Sequence, residues 1–167
     1  MRLSLHTDYA LRALIYLAAM DGPASTAGAI ASAYGISRNH LVKVLQRLRD
    51  LGHVETVRGR GGGVRLARAP EEIRLGAVVR QTEDLGELVE CFNMETNTCP
   101  LAAVCLLQRR LDEALRAYVE VLDRYTLADV SANREALGRA LGVTVRLAEG
   151  WPRPAPGSRF RRPADPG

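Results

Sequence analysis

The sequence predicts a mainly α-helical chain with a small β-wing. A winged helix-turn-helix spans residues 1–75, and a cysteine-bearing segment and a long dimerisation helix follow it. Three observations predict this. Two short helical patterns flank a tight Gly35-Ile36-Ser37 turn, which is the helix-turn-helix signature. Two short β-type runs then flank a Gly-rich, Arg-bearing hairpin at 58–63. Further on, apolar residues at Leu111, Leu115, Tyr118, Leu122 and Tyr125 step by 4, 3, 4 and 3, a heptad seam suited to packing along a partner helix.

The elements follow in order. Residues 8–19 read as an amphipathic helix, with Leu11, Leu14, Ile15 and Ala18 at helical spacing. Thr7 is the expected N-cap, and Asp8 sits in the first turn, where a negative charge meets the helix dipole. Gly22-Pro23 breaks this helix. A second helix is expected from Thr26 to Tyr34, with Ile30 and Ala33 facing inward. Gly35 supplies the left-handed backbone that ends it, and Ser37 caps a third helix over Arg38–Leu51. That helix buries Leu41, Val44, Leu45, Leu48 and Leu51 and shows His40, Lys43, Gln46, Arg47 and Asp50 to solvent.

Val54–Val57 and Val64–Ala67 read as strands, with the wing between them. A helix is expected at Leu75–Thr82, a long one from Pro100 to Tyr125, and a last one at Leu127–Leu141 capped by Thr126. The tail, 148–167, is rich in Pro, Gly and Arg and is expected to be disordered. The chain thus divides into a reader at 1–75, a cysteine segment at 76–108, a dimerisation region at 109–147 and the tail.

Composition narrows the function. Of 167 residues, 47% are hydrophobic and 25% charged, the balance of an ordinary globular protein. No apolar run approaches the ~20 residues of a membrane span, and Asp8 and Arg12 interrupt any signal-peptide pattern. The expected location is the cytoplasm. Residues 1–80 carry 12 Lys+Arg against 6 Asp+Glu, whereas residues 81–147 carry 7 Arg against 11 acids. A basic first half suits a polyanion.

Duplex DNA is the partner this geometry accepts. A recognition helix reads base edges with its N-terminal residues, here Ser37, Arg38, Asn39 and His40, with Lys43 one turn on. Arg pairs with guanine and Asn with adenine through two hydrogen bonds each, while Ser37 suits a phosphate. In the wing, glycines keep the backbone thin, so Arg58 and Arg60 can enter the minor groove or bind flanking phosphates, with Arg65 behind them on the second strand.

The cysteines carry the remaining chemistry. Cys91, Cys99 and Cys105 fall within 15 residues and none lies elsewhere. An odd count excludes a closed disulfide framework. Spacings of seven and five intervening residues lack the close Cys pairs of structural zinc and suit a larger, partly exposed iron–sulfur cluster. Three small buried hydrophobes are the plainer reading.

Four stretches resemble a family of winged-helix iron–sulfur transcriptional regulators: Thr7–Leu14, Ser37–Lys43, Val57–Gly63 and Tyr125–Asp129. The resemblance covers about residues 1–142 and favours the family's nitric-oxide-sensing branch. It implies a homodimer crossed over through the long helix, on a palindromic double-stranded operator. It implies one iron–sulfur cluster per subunit, 4Fe–4S or 2Fe–2S, on Cys91, Cys99 and Cys105. The fourth ligand it implies is an acidic residue from the other subunit at the start of the first helix, where this chain has Asp8, with Arg12 one turn on to orient it. Another branch uses a His three residues after the last cysteine, where this chain has Gln108. The gap between Cys91 and Cys99 is longer than the family's usual one, which leaves the cluster type open. The expected function is therefore a repressor that releases its operator when nitric oxide attacks the cluster. The alternatives are a regulator of cluster supply or redox state, a metal-free thiol switch joining Cys99 and Cys105, and a redox enzyme or electron carrier. For the last, the sequence offers no substrate site and the basic wing has no role.

Overall fold

The computed structural model describes residues 2–20, 24–93 and 95–143. Among the described residues, seven helices and one hairpin follow one another: α1 Leu5–Met20, α2 Ala27–Tyr34, α3 Arg38–Asp50, β1 Val54–Val57, β2 Gly63–Leu66, α4 Leu75–Thr82, α5 Leu106–Asp123, α6 Leu127–Ser131 and α7 Arg134–Leu141. None of the helices among the described residues is long and apolar enough to cross a membrane.

The central element is α1. Ala10, Ala13, Leu14, Tyr16, Leu17, Ala18 and Ala19 are all buried, so it is apolar over more of its circumference than an amphipathic surface helix. Small alanines let α3, α4, α6 and α7 approach it closely. Its cap differs from the expected one. Thr7 is fully buried, and Ser4 does the capping: the Ser4 carbonyl accepts from the Asp8 amide at 3.0 Å and Ser4 Oγ accepts from the Thr7 amide at 3.2 Å. The helix therefore starts three residues earlier, with Asp8 still in its first turn.

The helix-turn-helix and hairpin form as their sequence directs. Thr26 caps α2, and Gly35 ends it at φ 62°, the left-handed conformation that glycine adopts at least cost. Ile30 and Ala31 are its buried residues, and Ala33 packs half-buried against the same core. Ser37 caps α3 by accepting from the His40 amide, and Leu41, Val44, Leu45 and Leu48 pack beneath it. The hairpin is antiparallel, with Val54 opposite Leu66 and Val57 opposite Gly63. Ser25 extends it on the far edge, exchanging two backbone hydrogen bonds of 2.8 Å with Val64, so the wing is anchored to the entrance of α2.

Two later boundaries differ from the sequence expectation. The long helix begins at Leu106, not Pro100, because residues 99–104 form tight turns with three-residue hydrogen bonds from Ala102 to Cys99 and from Val104 to Leu101. The last helix is two. A capping box of Thr126 and Asp129 starts α6, and Asn133, at φ −87° and ψ 46°, turns the chain before α7. The tail expected to be disordered lies outside the described residues.

Candidate nucleic-acid interface and metal centre

Ser37, Arg38, Asn39, His40 and Lys43 are all exposed on the first turns of α3. They stand at a helix N-terminus, where the unpaired amides and the helix dipole favour an anion. Ser37 Oγ is spent as an acceptor within the cap, at 3.4 Å from the His40 nitrogen, and its hydroxyl proton is left to donate outward. The apolar face of α3 is locked into the core, so the polar face has one fixed orientation.

The wing presents its arginines differently. Arg58 and Arg60 are exposed, and neither has a hydrogen bond or ion pair among the described residues. Arg65 is half-exposed and clamped to Glu55 on the opposite strand, Nε to Oε1 and Nη2 to Oε1 both at 2.6 Å. Its charge is thus partly neutralised by Glu55, whereas the charges of the two wing-tip arginines are not offset by a paired carboxylate among the described residues. Gly62 is squeezed into the turn: a Cβ there would stand 2.8 Å from the Gly59 carbonyl and closer still to that of Val57.

All three cysteines are free thiols of intermediate exposure. Cys91 lies in a single helical turn, Glu90–Phe92, Cys99 opens the turns before α5, and Cys105 is the N-cap residue of α5. Side-chain hydrogen bonds fold these segments against one another. Glu90 accepts from the Thr98 amide at 2.7 Å and from its hydroxyl at 2.5 Å, joining the neighbours of Cys91 and Cys99. Those bonds hold the Glu90 carboxyl below the usual carboxylate range. Gln108 Nε2 donates to the Cys91 carbonyl at 2.7 Å, joining Cys91 to the first turn of α5. Among the described residues, however, no three His, Cys, Asp or Glu side chains stand together as a ready metal-binding group. The donor set still fits an iron–sulfur cluster, with three soft, partly accessible cysteine sulfurs, none in a disulfide, on segments joined by their own polar contacts.

Asp8 is apart from these cysteines in its surroundings. It forms a two-point ion pair with Arg12 one turn on, Oδ1 to Nε at 3.0 Å and Oδ2 to Nη2 at 2.9 Å. Arg12 in turn lies over the Tyr34 ring, 5.9 Å from its centroid, while the Tyr34 hydroxyl donates to the Arg12 carbonyl at 2.9 Å. Burial pushes the Tyr34 pKa up to about 12. Sequence reasoning picked out Asp8 and Arg12 but missed Tyr34, which ties this pair to α2.

The family model described as Rrf2, iron-dependent transcriptional regulator, matches residues 3–133. This chain belongs to the Rrf2 family. Among curated relatives, the HTH-type transcriptional regulator NsrR of Halalkalibacterium halodurans is 55% identical over 138 residues, covering 82% of this chain and 94% of that protein. The NsrR of Bacillus subtilis is 52% identical over 142 residues, covering 84% and 97%. Among solved structures, the IscR of T. potens aligns with a TM-score of 0.64 at 28% identity, covering 90% of this chain and 94% of that one. This Rrf2 chain is a DNA-binding transcriptional regulator with a winged helix, and its relatives are regulators rather than enzymes.

Proposed function

We propose that this Rrf2 regulator is a homodimeric repressor that carries an iron–sulfur cluster and releases its operator in response to nitric oxide. The observation that carries the proposal is the tying of the cysteine segments by Glu90–Thr98 and Gln108–Cys91 next to three free thiols. The relatives named NsrR support the choice of branch.

Cys91, Cys99 and Cys105 would hold the cluster, and Asp8 of the partner subunit would complete its ligands. When bound, the cluster supplies iron that nitric oxide can attack. The protein does the rest. Glu90 and Gln108 keep the cysteine segments in register, and the Arg12 guanidinium holds the Asp8 carboxylate in one orientation. A subunit that reaches across to its partner through Asp8 links cluster integrity to the separation of the two reading heads. Half-sites about one helical turn apart would each take one α3. The pairing surface would be α5, whose seam residues Leu111, Leu115, Tyr118 and Leu122 are only half-buried, with Val119 its one buried residue. In this reading residues 1–75 read DNA, 76–108 hold the cluster and 109–147 pair the subunits.

The test is the visible spectrum of protein purified without oxygen, with operator binding followed in parallel. Iron and sulfide in amounts matching the subunits, and DNA release on adding nitric oxide, support the proposal. A colourless, iron-free protein that binds DNA equally well refutes it.

A further inference from the structure

One corner of the fold touches the start of α1, the recognition helix α3 and the root of the wing. Helix α4 ends at Gln81 and Thr82, and Glu83 follows as its C-cap, held by its amide on the Val79 carbonyl at 2.8 Å. Thr82 Oγ1 donates to the Val78 carbonyl at 2.8 Å and keeps the last turn closed. From here the chain departs into the cysteine segment.

Glu83 faces α1. Its carboxylate accepts from the Ser4 amide at 3.0 and 3.1 Å and from Ser4 Oγ at 2.8 Å. Ser4 is the cap of the helix on which Asp8 lies one turn later, so Glu83 sets where that turn begins. Gln81 faces the reading head. Its side-chain oxygen lies 2.7 Å from His53 Nε2, and its backbone carbonyl accepts from Arg47 Nη2 at 3.3 Å. Arg47 belongs to α3. His53 is the root of the wing: its amide donates to Leu48 at the end of α3, and its carbonyl accepts from Ala67 just past β2.

His53 is an expensive residue to keep here. It is 2% exposed, and its buried Nδ1 has no partner among the described residues. An apolar ring of similar size would avoid that penalty. What the imidazole adds is the Gln81 contact.

We infer that Gln81, Glu83 and His53 are positioning residues, which hold the start of α1 and the root of the wing in one fixed relation through the end of α4. Asp84 to Cys105 hang from the same corner, so a shift in the cysteine segment would reach α3 and the wing together. The link to the cysteines rests on the cluster proposal above, whereas the link between α1 and the wing does not.

Two measurements separate these levels. The first uses the full chain without iron, and follows backbone amide hydrogen exchange in Glu83→Ala, Gln81→Met and His53→Phe. Glu83→Ala should speed exchange about tenfold at Thr7 and Asp8, and also at the distant His53 and Ala67 amides. Gln81→Met should do the reverse, reaching Thr7 and Asp8 from the wing side. Acceleration confined to residues beside each substitution overturns the inference. His53→Phe relieves the unpaired Nδ1, so it keeps the test open if Glu83→Ala does not fold.

The second uses iron-loaded and iron-free full chain on a duplex selected by the loaded wild type from a random-sequence pool. Each variant should keep the wild-type visible absorption, while the ratio of loaded to free affinity falls about fivefold or more. An unchanged ratio with intact absorption overturns the coupling role. If the wild type itself shows no iron-dependent ratio, the cluster proposal fails, and the α1–wing relation is judged by exchange alone.

Discussion

Gly63→Ala is the sharpest probe of how the wing is held. A Cβ at this position would lie 2.6 Å from the Ser25 carbonyl carbon, nearer still to its oxygen, and 3.1 Å from the Thr26 nitrogen. All three are backbone atoms, so no side chain can swing aside. Ser25 must move, and with it the two 2.8 Å hydrogen bonds to Val64. At about 1 kcal/mol net for each bond, the loss is about 2 kcal/mol. Displacing Thr26, whose Oγ1 caps α2 by accepting from Ala29 at 3.1 Å, adds up to about 1 kcal/mol. For a chain of this size the sum corresponds to a fall in Tm of about 7 °C. Binding should suffer separately. A wing no longer anchored to α2 cannot hold Arg58 and Arg60 against the phosphates, so the slope of log affinity against log salt should fall by about 2 per protomer. Calorimetry and fluorescence anisotropy at several salt concentrations read the two effects. A Tm within about 1 °C of wild type, with an unchanged salt slope, would refute the reasoning that Ser25 anchors the wing.

Other outcomes follow from the same structure. Arg60→Ala should leave Tm unchanged and lower the salt slope by about 1 in the same anisotropy experiment. Asp8→Ala should retain the helical circular-dichroism signal and yield a cluster that bleaches faster in air, whereas Cys99→Ser should abolish visible absorption altogether. Glu83 gives a pH signature. Burial raises its pKa, but hydrogen bonds from Thr7 and Ser4 outweigh that and hold the carboxyl below its ordinary value. A depressed carboxylate pKa stabilises the fold above the unfolded value of about 4.5, and the contribution disappears as pH falls through the folded value. Urea titrations should therefore show Glu83→Gln less stable than wild type at pH 7, with the gap closing toward pH 3.

The reading head was legible in the sequence because local chemistry decides it. Gly35 and Ser37 stop one helix and start the next, and Leu41, Val44, Leu45 and Leu48 recur at the helical period. The wing was legible for a similar reason, since Gly59 to Gly63 leaves few options other than a tight hairpin. Boundaries set by distant contacts were not legible. Ser4 displaces Thr7 as the cap of α1 because Glu83, 79 residues away, engages it. Pro100 looks like a first helical residue, yet α5 waits until Leu106 because the intervening turns and the Gln108–Cys91 contact hold the chain otherwise. The break at Asn133 follows from one backbone conformation that no periodicity announces.

The site divides along the same line. The exposed residues of α3 and the wing-tip arginines stand where pattern alone puts them. Arg65 also reads as a basic wing residue in sequence, but cross-strand pairing with Glu55 takes up much of its charge. His53, Gln81 and Tyr34 carried no signal of their own. A buried imidazole looks like any core position until the Gln81 contact and the orphaned Nδ1 are seen. A helix-ending tyrosine looks ordinary until its hydroxyl is found on the Arg12 carbonyl beneath the Asp8 ion pair.

The central claim is that DNA binding by this Rrf2 regulator depends on a cluster held by the cysteine segment. The most direct measurement is anaerobic operator binding before and after addition of nitric oxide, with the visible spectrum recorded on the same samples. The account predicts that cluster absorption and operator affinity fall together, and that Cys99→Ser shows neither the absorption nor the response. Operator affinity that stays constant while the cluster absorption disappears would contradict it.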